Sequence, residues 1–256
     1  MTGILLFLAG LVIGSFLNVC IHRLPRAESI VRPGSHCPKC NKPVAWFDNI
    51  PIVSFFILKG QCRHCLGRIS FRYPAVELLS GLIWFASWKV SGGSPFFLIS
   101  VIFLSILLVV TVTDFETGLI PDAVSFLGAA VGLLGSFFYP ELQKTTSGLI
   151  ALEHSLMGLV IGGGLIYMIG LAGNWIFQRE SMGGGDVKLL AMIGSFLGWE
   201  KVLLTFFTAP ILALPFALYR RCIKKEEIVP YGPFLSLAAA IQFFYGHLLW
   251  KLFLGI

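Results

Sequence analysis

Acidic side chains are scarce in this sequence, which holds 13 Asp and Glu among its 256 residues. Two of them, Asp114 and Asp186, lie where apolar runs meet polar segments, a depth at which an ionisable group is costly. Two carboxyl groups at one site can share a single proton, because like charges at close range raise the pKa of one partner. The ionised partner then takes a proton from water while the protonated partner donates to a carbonyl oxygen. Asp114 and Asp186 are therefore candidates for acid–base hydrolysis of a peptide.

The segments around these aspartates also admit simpler roles. Asp is favoured at helix N-termini, so Asp186 could cap a helix, and Asp122, which follows Pro121, resembles a residue of a first helical turn. Glu116 could be an ordinary loop charge. The glycines at 183–185 have no side chains, so they let an extended peptide approach the backbone and let the chain turn into a helix. Catalysis and capping both remain open for Asp186 on these grounds, and capping is favoured for Asp122.

Four of the six cysteines form two Cys-x-x-Cys pairs, Cys37-Pro-Lys-Cys40 and Cys62-Arg-His-Cys65, with 21 residues between them. Two such knuckles can present four thiolates that close a tetrahedron around Zn²⁺. Two disulfides or four free thiols are the alternatives, but a loop in the reducing cytosol disfavours stable disulfides. Four cysteine ligands leave no open coordination position. We therefore expect one zinc ion with a structural rather than a catalytic role, bound by Cys37, Cys40, Cys62 and Cys65.

These groups have to be positioned by a chain that is 56% hydrophobic and only 12% charged. A soluble domain is about 25% charged, and one of this size could not bury so much apolar surface, whereas a bilayer accepts it. We expect an all-α polytopic membrane protein with about eight transmembrane helices. The apolar runs that we assign to spans are 3–21, 74–90, 95–113, 122–139, 152–177, 186–198, 201–220 and 231–254. The 186–198 run is short, so it either tilts or forms a helical hairpin with its neighbour across 198–200.

A polar stretch that carries both cysteine pairs separates the first span from the others. We divide the chain into a first transmembrane helix at 1–22, a cytoplasmic zinc-ribbon-like domain at 23–73 and a seven-span membrane domain at 74–256. Nine of the 19 Lys and Arg residues lie in 23–73, four lie in 220–225, and Arg179 and Lys188 lie in 178–188. Basic loops between spans mark the cytoplasmic side, so we expect an outside N-terminus, both aspartates at the cytoplasmic face and no nucleic-acid partner.

Six segments, in order, resemble the type IV prepilin peptidases. They are Gly14-Ser-Phe-Leu-Asn-Val-Cys-Ile-His-Arg-Leu-Pro25, the two cysteine pairs, Pro74-Ala-Val-Glu77, the Asp114 segment with Ile120-Pro-Asp122, the Gly-x-Gly-Asp segment that ends at Asp186, and Tyr231-Gly-Pro-Phe-Leu235. One such motif alone would be weak evidence. Their occurrence in order over essentially the whole chain makes the resemblance specific.

The resemblance implies a bifunctional enzyme of the inner (cytoplasmic) membrane, related to the wider group of Gly-x-Gly-Asp intramembrane aspartyl proteases that includes presenilins. Such an enzyme cleaves a short basic leader from type IV prepilins or pseudopilins after a glycine, with Asp114 and Asp186 in the catalytic roles. It then N-methylates the new N-terminal residue, usually Phe, with S-adenosylmethionine. Asp186 is expected to be the ionised base, because a helix N-terminus favours negative charge. The sequence has no Gly-x-Gly-x-x-Gly fingerprint after a strand pattern, so the residues that bind the methyl donor stay unassigned.

Other classes of protein compete with this interpretation. A transporter could use Asp114 and Asp186 as a proton relay, but transporters commonly show repeats between their halves and hold such acids near the bilayer midplane. We find no convincing repeat, and both acids fall near one interface. A membrane methyltransferase without protease activity and a non-enzymatic assembly factor are further alternatives. The sequence does not indicate which pilus, secretion or competence system is served.

Overall fold

The structure is a computed structural model that describes residues 1–178, 182–225 and 229–254. Within these ranges the chain forms eight α-helices and no β-strand, which confirms the predicted all-α class. The helices are α1 (Thr2–Arg23), α2 (Val53–Ile57), α3 (Arg72–Ser91), α4 (Phe96–Thr117), α5 (Asp122–Phe138), α6 (Gly148–Phe177), α7 (Gly184–Tyr219) and α8 (Gly232–Leu254). Arg179, one of the basic residues behind the predicted orientation, lies outside the described residues.

Several of these helices have the length and composition of membrane spans. Four stretches in the described ranges qualify, namely Thr2–Arg26, Phe96–Thr117, Gly148–Ile176 and Gly184–Ile223. Helix α5 is apolar but shorter. These helices agree with the predicted polytopic membrane class, whereas the total of eight spans stays a prediction.

Helix α7 contains the predicted break between two apolar runs. Gly198 has φ 76° and ψ 175°, a left-handed conformation that suits glycine. Leu190, before the break, and Val202, after it, each have an atom 3.0 Å from the position that a Cβ would take at Gly162 in α6. In a straight helix those two residues would be about 18 Å apart along the axis. The arms of α7 therefore fold back on each other as a helical hairpin, the second of the two arrangements that the sequence allowed.

Polar side chains from neighbouring elements hold the tip of this hairpin. The Gln143 side-chain amide donates to the Phe196 carbonyl oxygen and to the Ser136 hydroxyl, both at 3.1 Å. The Ser155 hydroxyl donates to the Ser195 carbonyl oxygen at 2.5 Å. Carbonyl groups at a helix end lack intrahelical partners, and leaving them unpaired in an apolar interior is costly. These bonds stabilise the turn and so fix the course of the arm that begins beside Asp186.

Helix α1 packs closely on α3 through glycines on one of its faces. A Cβ at Gly14 would lie 2.6 Å from the Glu77 Cα, and one at Gly10 would lie 2.9 Å from the Gly81 Cα. Glycine at such positions lets two helix backbones approach each other. The close packing places the end of α1 beside the beginning of α3, so the cysteine loop leaves and returns at neighbouring points.

Buried polar side chains join α1 to α3 and join the cysteine loop, which connects these helices, to α3. The Asn18 amide donates to the Tyr73 carbonyl oxygen at 3.0 Å, and the Glu77 carboxylate accepts the Ile52 N–H at 2.7 Å. Ile52 has φ 62°, a rare and costly conformation for a β-branched residue. The Glu77 bond compensates for this local strain. Asn18 and Glu77 belong to two of the family-like segments, which therefore have a structural role in positioning the loop.

The chain divides into two compact units, 1–109 and 110–256. The first holds both cysteine pairs, and the second holds Asp114 and Asp186. The predicted division at 1–22, 23–73 and 74–256 stays a prediction.

Candidate active site

Helix α4 ends one turn after Asp114. The Gly118 N–H donates to the Asp114 carbonyl oxygen at 2.9 Å, and Gly118 has φ 65°, the left-handed cap that often ends a helix. The Thr117 hydroxyl donates to the Thr113 carbonyl oxygen at 2.8 Å, which satisfies another group of the last turn. The Asp114 residue is buried, with 6% of its surface exposed. The end of α4 thus holds a carboxyl group away from bulk water.

The Asp114 carboxylate meets the beginning of helix α8. The Gly232 N–H donates to its Oδ2 atom at 2.9 Å. This N–H belongs to the first turn of α8, whose donors have no partner inside the helix. A Cβ at Gly232 would lie 2.8 Å from the same oxygen, closer than a carbon atom normally approaches. Any larger residue at this position would force the carboxylate or the beginning of α8 to shift.

Ile120 connects the Asp114 segment to the Asp186 segment. Its side chain lies 3.2 Å from the Cβ position of Gly232 and 3.1 Å from that of Gly185. Gly185 directly precedes Asp186 in the first turn of α7. The charges of Asp114 and Asp186 are close enough to interact electrostatically. The structure therefore brings the two predicted aspartates into one site, although they are far apart in sequence.

Asp186 does not cap helix α7. Gly183 occupies the N-cap position, and the cap has no side-chain hydrogen bond. Asp186 lies three residues further on, still in the first turn, where the helix dipole favours a negative charge. Around Gly184, no atom of the described residues lies within 4 Å of the position that a Cβ would take. The backbone at Gly184 thus leaves room for a close approach, while the approach of a peptide to the glycine run stays a prediction.

Among the described residues, no cation pairs with either carboxylate. Within 1–178, 182–225 and 229–254, neither Asp114 nor Asp186 forms an ion pair, and the Asp186 side chain forms no hydrogen bond. A carboxylate removed from water without a cation is costly, and neighbouring carboxylates relieve that cost by holding a proton. This arrangement fits the proton-sharing pair that acid–base hydrolysis requires.

Asp122 has a different environment. It is the first residue of α5, as predicted, but it makes no side-chain capping bond. Its Oδ1 atom lies 2.6 Å from the Lys188 Nζ atom, and the Asp122 side chain is 58% exposed. An exposed ion pair contributes about 0–1 kcal/mol. Glu116 is exposed on the last turn of α4. Both acids lie outside the buried pair.

The four cysteines that we predict to bind zinc meet in the first unit. The Sγ atoms of Cys37, Cys40, Cys62 and Cys65 all lie within 4.8 Å of one another, and the Cys37 and Cys65 sulfurs are 3.9 Å apart. A tetrahedral zinc ion with Zn–S bonds of about 2.3 Å would separate its ligands by about 3.8 Å. All four are free thiols, not disulfides. The set of donors therefore fits the predicted metal.

The two knuckles repeat one backbone conformation. The residue after the second cysteine of each, Asn41 or Leu66, has φ 55° or 54°. In each knuckle the N–H of the first cysteine donates to the carbonyl oxygen five residues later at 2.9 Å. Backbone N–H groups of Cys65 and His64 donate to the Cys62 sulfur and lower the pKa of that thiol to about 6. These turns direct both pairs of thiols toward one point.

A salt bridge joins the second knuckle to the middle of the cysteine loop. The Arg63 guanidinium donates to both carboxylate oxygens of Asp48, at 2.8 and 2.6 Å. These hydrogen bonds from Arg63 lower the pKa of the Asp48 carboxyl group. The same guanidinium lies 5.3 Å from the centroid of the Phe47 ring. Because the pair is bidentate, it fixes the orientation of the second knuckle relative to Asp48, but an exposed ion pair contributes little stability.

Two residues of the site, Gly232 and Ile120, have no role that the sequence predicts. Gly232 lies in the Tyr231–Leu235 segment, so the resemblance pointed to its neighbourhood. Its partner Asp114 is 118 residues earlier in the chain, and no local pattern indicates that contact.

The geometry defines a class: helical membrane proteins with two carboxyl groups brought together at the ends of their helices. Comparison with known families is more specific. The bacterial peptidase A24 N-terminal domain matches residues 8–90, which include both cysteine pairs, and the type IV leader peptidase family matches residues 101–218, which include both aspartates. The chain belongs to the type IV leader peptidase family, which confirms the resemblance seen in the sequence.

Curated relatives cover most of this chain, and each is named a prepilin leader peptidase/N-methyltransferase. The relative from Klebsiella pneumoniae is 38% identical over 218 residues, which are 81% of this chain and 90% of that protein. The relative from Myxococcus xanthus is 38% identical over 200 residues, 78% of this chain but 57% of that longer protein. The relative from Neisseria gonorrhoeae is 29% identical over 267 residues, 94% of this chain and 90% of that protein. No solved structure matches the chain.

Proposed function

We propose that this protein is a membrane aspartyl protease that removes the leader from type IV prepilins or pseudopilins and then N-methylates the new amino terminus. The observation that carries this proposal is the convergence of Asp114 and Asp186 in a chain of this family, with no ion pair at either carboxylate among the described residues. The relatives carry both activities in their printed name. The substrate is a polypeptide with a basic leader, cut after a glycine at the membrane surface.

The two aspartates hydrolyse the peptide without a covalent enzyme intermediate. The ionised carboxylate takes a proton from a water molecule, whose oxygen attacks the scissile carbonyl carbon. The protonated partner donates its proton to the carbonyl oxygen. When the tetrahedral intermediate collapses, the C–N bond breaks, the nitrogen takes up a proton and the leader ends in a carboxylate. The pair then holds one proton again, so each turnover consumes only water.

The hydrogen bond from Gly232 supports a specific division of labour. The sequence alone favoured Asp186 as the ionised base, since it lies in the first turn of α7. The Asp114 carboxylate, however, lies against the beginning of α8 and accepts the Gly232 N–H at 2.9 Å. A backbone donor and a helix N-terminus both stabilise a negative charge. We therefore assign Asp114 as the general base and Asp186 as the proton donor in the resting pair, whose titration the two residues share.

The cysteine cluster supports a structural zinc ion and leaves the chemistry to other residues. Cys37, Cys40, Cys62 and Cys65 would fill all four tetrahedral positions, so no position stays open for water or substrate. S-adenosylmethionine, when bound, supplies a methyl group that passes from its sulfonium sulfur to the amine nitrogen, leaving a thioether and releasing the amine proton.

The most direct test of this function uses purified protein in detergent with a prepilin and S-adenosylmethionine. Intact mass spectrometry should show a pilin that has lost its leader and gained one methyl group at its new N-terminus. Without S-adenosylmethionine, the shortened pilin should accumulate unmethylated. A prepilin that stays full-length would contradict the protease assignment, and methylation of a full-length chain would favour the methyltransferase alternative.

We also propose that the N-terminus lies outside the inner membrane and that the catalytic pair faces the cytoplasm. The charge distribution supports this orientation, since nine of the 19 Lys and Arg residues lie in 23–73. A membrane-impermeant maleimide applied to intact spheroplasts should label Thr146→Cys and miss Leu119→Cys, relative to the unsubstituted chain. Both positions are exposed. Inside-out vesicles should reverse the pattern, and labelling of Leu119→Cys in spheroplasts would overturn the orientation.

A further inference from the structure

A cleft in the first unit, distinct from the catalytic pair and from the cysteine cluster, has a volume of about 570 Å³. It lies between the end of α1 and two segments of the cysteine loop, 30–35 and 46–51. A cleft of this size is in the range of small-molecule sites. Its two walls differ in polarity. One wall is an apolar face of α1, and the other is formed by the cysteine loop and includes the polar side chains of Ser35 and Asn49.

Arg23 supplies the charge of this cleft. It is buried, with 6% of its surface exposed, and its guanidinium donates to the carbonyl oxygens of Ser29 at 2.8 Å and Gly34 at 3.3 Å. Within the described ranges it forms no salt bridge, and no acidic side chain lines the cleft. A buried cation without an anion is unfavourable, since the interaction with two neutral carbonyl groups replaces only part of its hydration. The charge of the cleft therefore favours an anionic occupant.

The apolar wall indicates what else the occupant carries. Val12, Phe16 and Val19 lie on the face of α1 that borders the cleft, and Val12 and Phe16 are 60% and 49% exposed. At another border is Trp46, which is 81% exposed. Helix α1 is a candidate membrane span with Arg23 in its last turn. Cationic residues and Trp at the ends of a span lie at the depth of lipid headgroups.

We propose that this cleft binds an anionic phospholipid, with the headgroup phosphate on Arg23 and the upper acyl chain against Val12, Phe16 and Val19. Basic pockets at the headgroup level of membrane helices bind lipids in this way. The bound phosphate would neutralise Arg23 and would hold the 29–34 segment, whose carbonyl groups Arg23 already contacts, against α1. The lipid is thus a structural ligand of the cysteine loop, and this proposal does not depend on the protease assignment.

The methyl donor is a less suitable occupant of the same cleft. S-adenosylmethionine carries a sulfonium and an ammonium group against a single carboxylate, so its net charge is positive. The charged side chain that lines the cleft is itself a cation, with no acidic lining residue to receive the ammonium group. Like charges at short range disfavour this pairing. The experiment below nevertheless distinguishes the two ligands.

Native mass spectrometry of the full chain, released from detergent micelles with added lipid, tests the proposal. Phosphatidylglycerol should remain bound to the wild-type protein, phosphatidylcholine should be retained less, and inorganic phosphate should not displace the lipid. Arg23→Gln should weaken the retention of phosphatidylglycerol about tenfold, the value of one charge-assisted hydrogen bond. Arg26→Gln is the matched control, because Arg26 is an exposed cation at the same helix end that does not line the cleft. It should change retention less than twofold, a margin below the effect of a typical hydrogen bond.

A second substitution keeps the test decisive if Arg23→Gln does not fold. Trp46→Ala should also weaken retention, whereas Trp175→Ala should not, since Trp175 is 84% exposed but lies in the other unit. Equal retention by Arg23→Gln and wild type, or by Trp46→Ala and wild type, would overturn the proposal. So would equal binding of the two phospholipids. Displacement of the lipid by S-adenosylhomocysteine would instead assign the cleft to the methyl donor.

Discussion

Asp114→Asn and Asp186→Asn should each abolish prepilin cleavage, with losses of about 1,000-fold or more, because general acid–base catalysis by one group contributes about 10²–10⁴-fold. Asparagine keeps the size of the side chain but cannot hold the shared proton. The rate of leader removal, followed by gel or mass spectrometry with excess prepilin, gives the effect. Thermal unfolding and circular dichroism should stay near wild type, because neither aspartate forms an ion pair within the described ranges.

Asp122→Asn is the matched control for this pair. It lies in the same family-like segment as Asp114, but its carboxylate is 58% exposed and pairs with Lys188. Its cleavage rate should fall by no more than a few-fold, in line with about 0–1 kcal/mol for an exposed ion pair. Near wild-type cleavage by Asp114→Asn, together with a large loss in Asp122→Asn, would transfer the catalytic role to Asp122.

Gly232→Ala gives an independent check on the same site. Its Cβ would lie 2.8 Å from the Asp114 Oδ2 atom, so the carboxylate or the beginning of α8 has to shift. Cleavage should fall while both catalytic carboxyl groups are still present. The analogous change at Gly184, where no described atom lies within 4 Å of the Cβ position, should be tolerated in the fold.

Cys62→Ser should release the zinc ion and unfold the cysteine loop. A structural zinc site contributes about 10–16 kcal/mol at neutral pH in small zinc-binding peptides. The loop exposes many apolar side chains, including Trp46, Phe56 and Ile57 at 81%, 66% and 70%, so burial alone contributes little to its stability. Elemental analysis should find about one zinc per wild-type chain and far less in Cys62→Ser. Limited proteolysis should then cut within 24–71.

Cys222→Ser is the control for the zinc prediction, because Cys222 is an exposed free thiol outside the cluster. It should keep the metal and the protease resistance of the loop. Prepilin cleavage should survive in Cys62→Ser better than methylation does, since both aspartates lie in the unit 110–256. Wild-type protein that contains no metal after gentle purification, or Cys62→Ser that retains it, would contradict the zinc assignment.

The local features of this protein could be predicted from its sequence. Apart from the short α2, each helix follows from an apolar run long enough to need lipid or protein around it, so most of the predicted bounds agree with the helices to within a few residues. The knuckles follow from cysteine spacing and turn residues, and the scarcity of acids drew attention to Asp114 and Asp186. These features depend on residues near one another in the chain, where spacing and conformational preference carry the information.

Contacts between distant segments were decided by the tertiary structure. The sequence allowed the 186–198 run either to tilt or to form a hairpin with the next run. Only the packing of Leu190 and Val202 around Gly162 distinguishes the two arrangements. Likewise, the local sequence favours a capping role for Asp122, whereas in the structure its carboxylate pairs with Lys188, 66 residues away. A local pattern specifies which face or end of an element is polar, but not which partner meets it. That choice is made by close packing, because backbones approach only where no side chain intervenes.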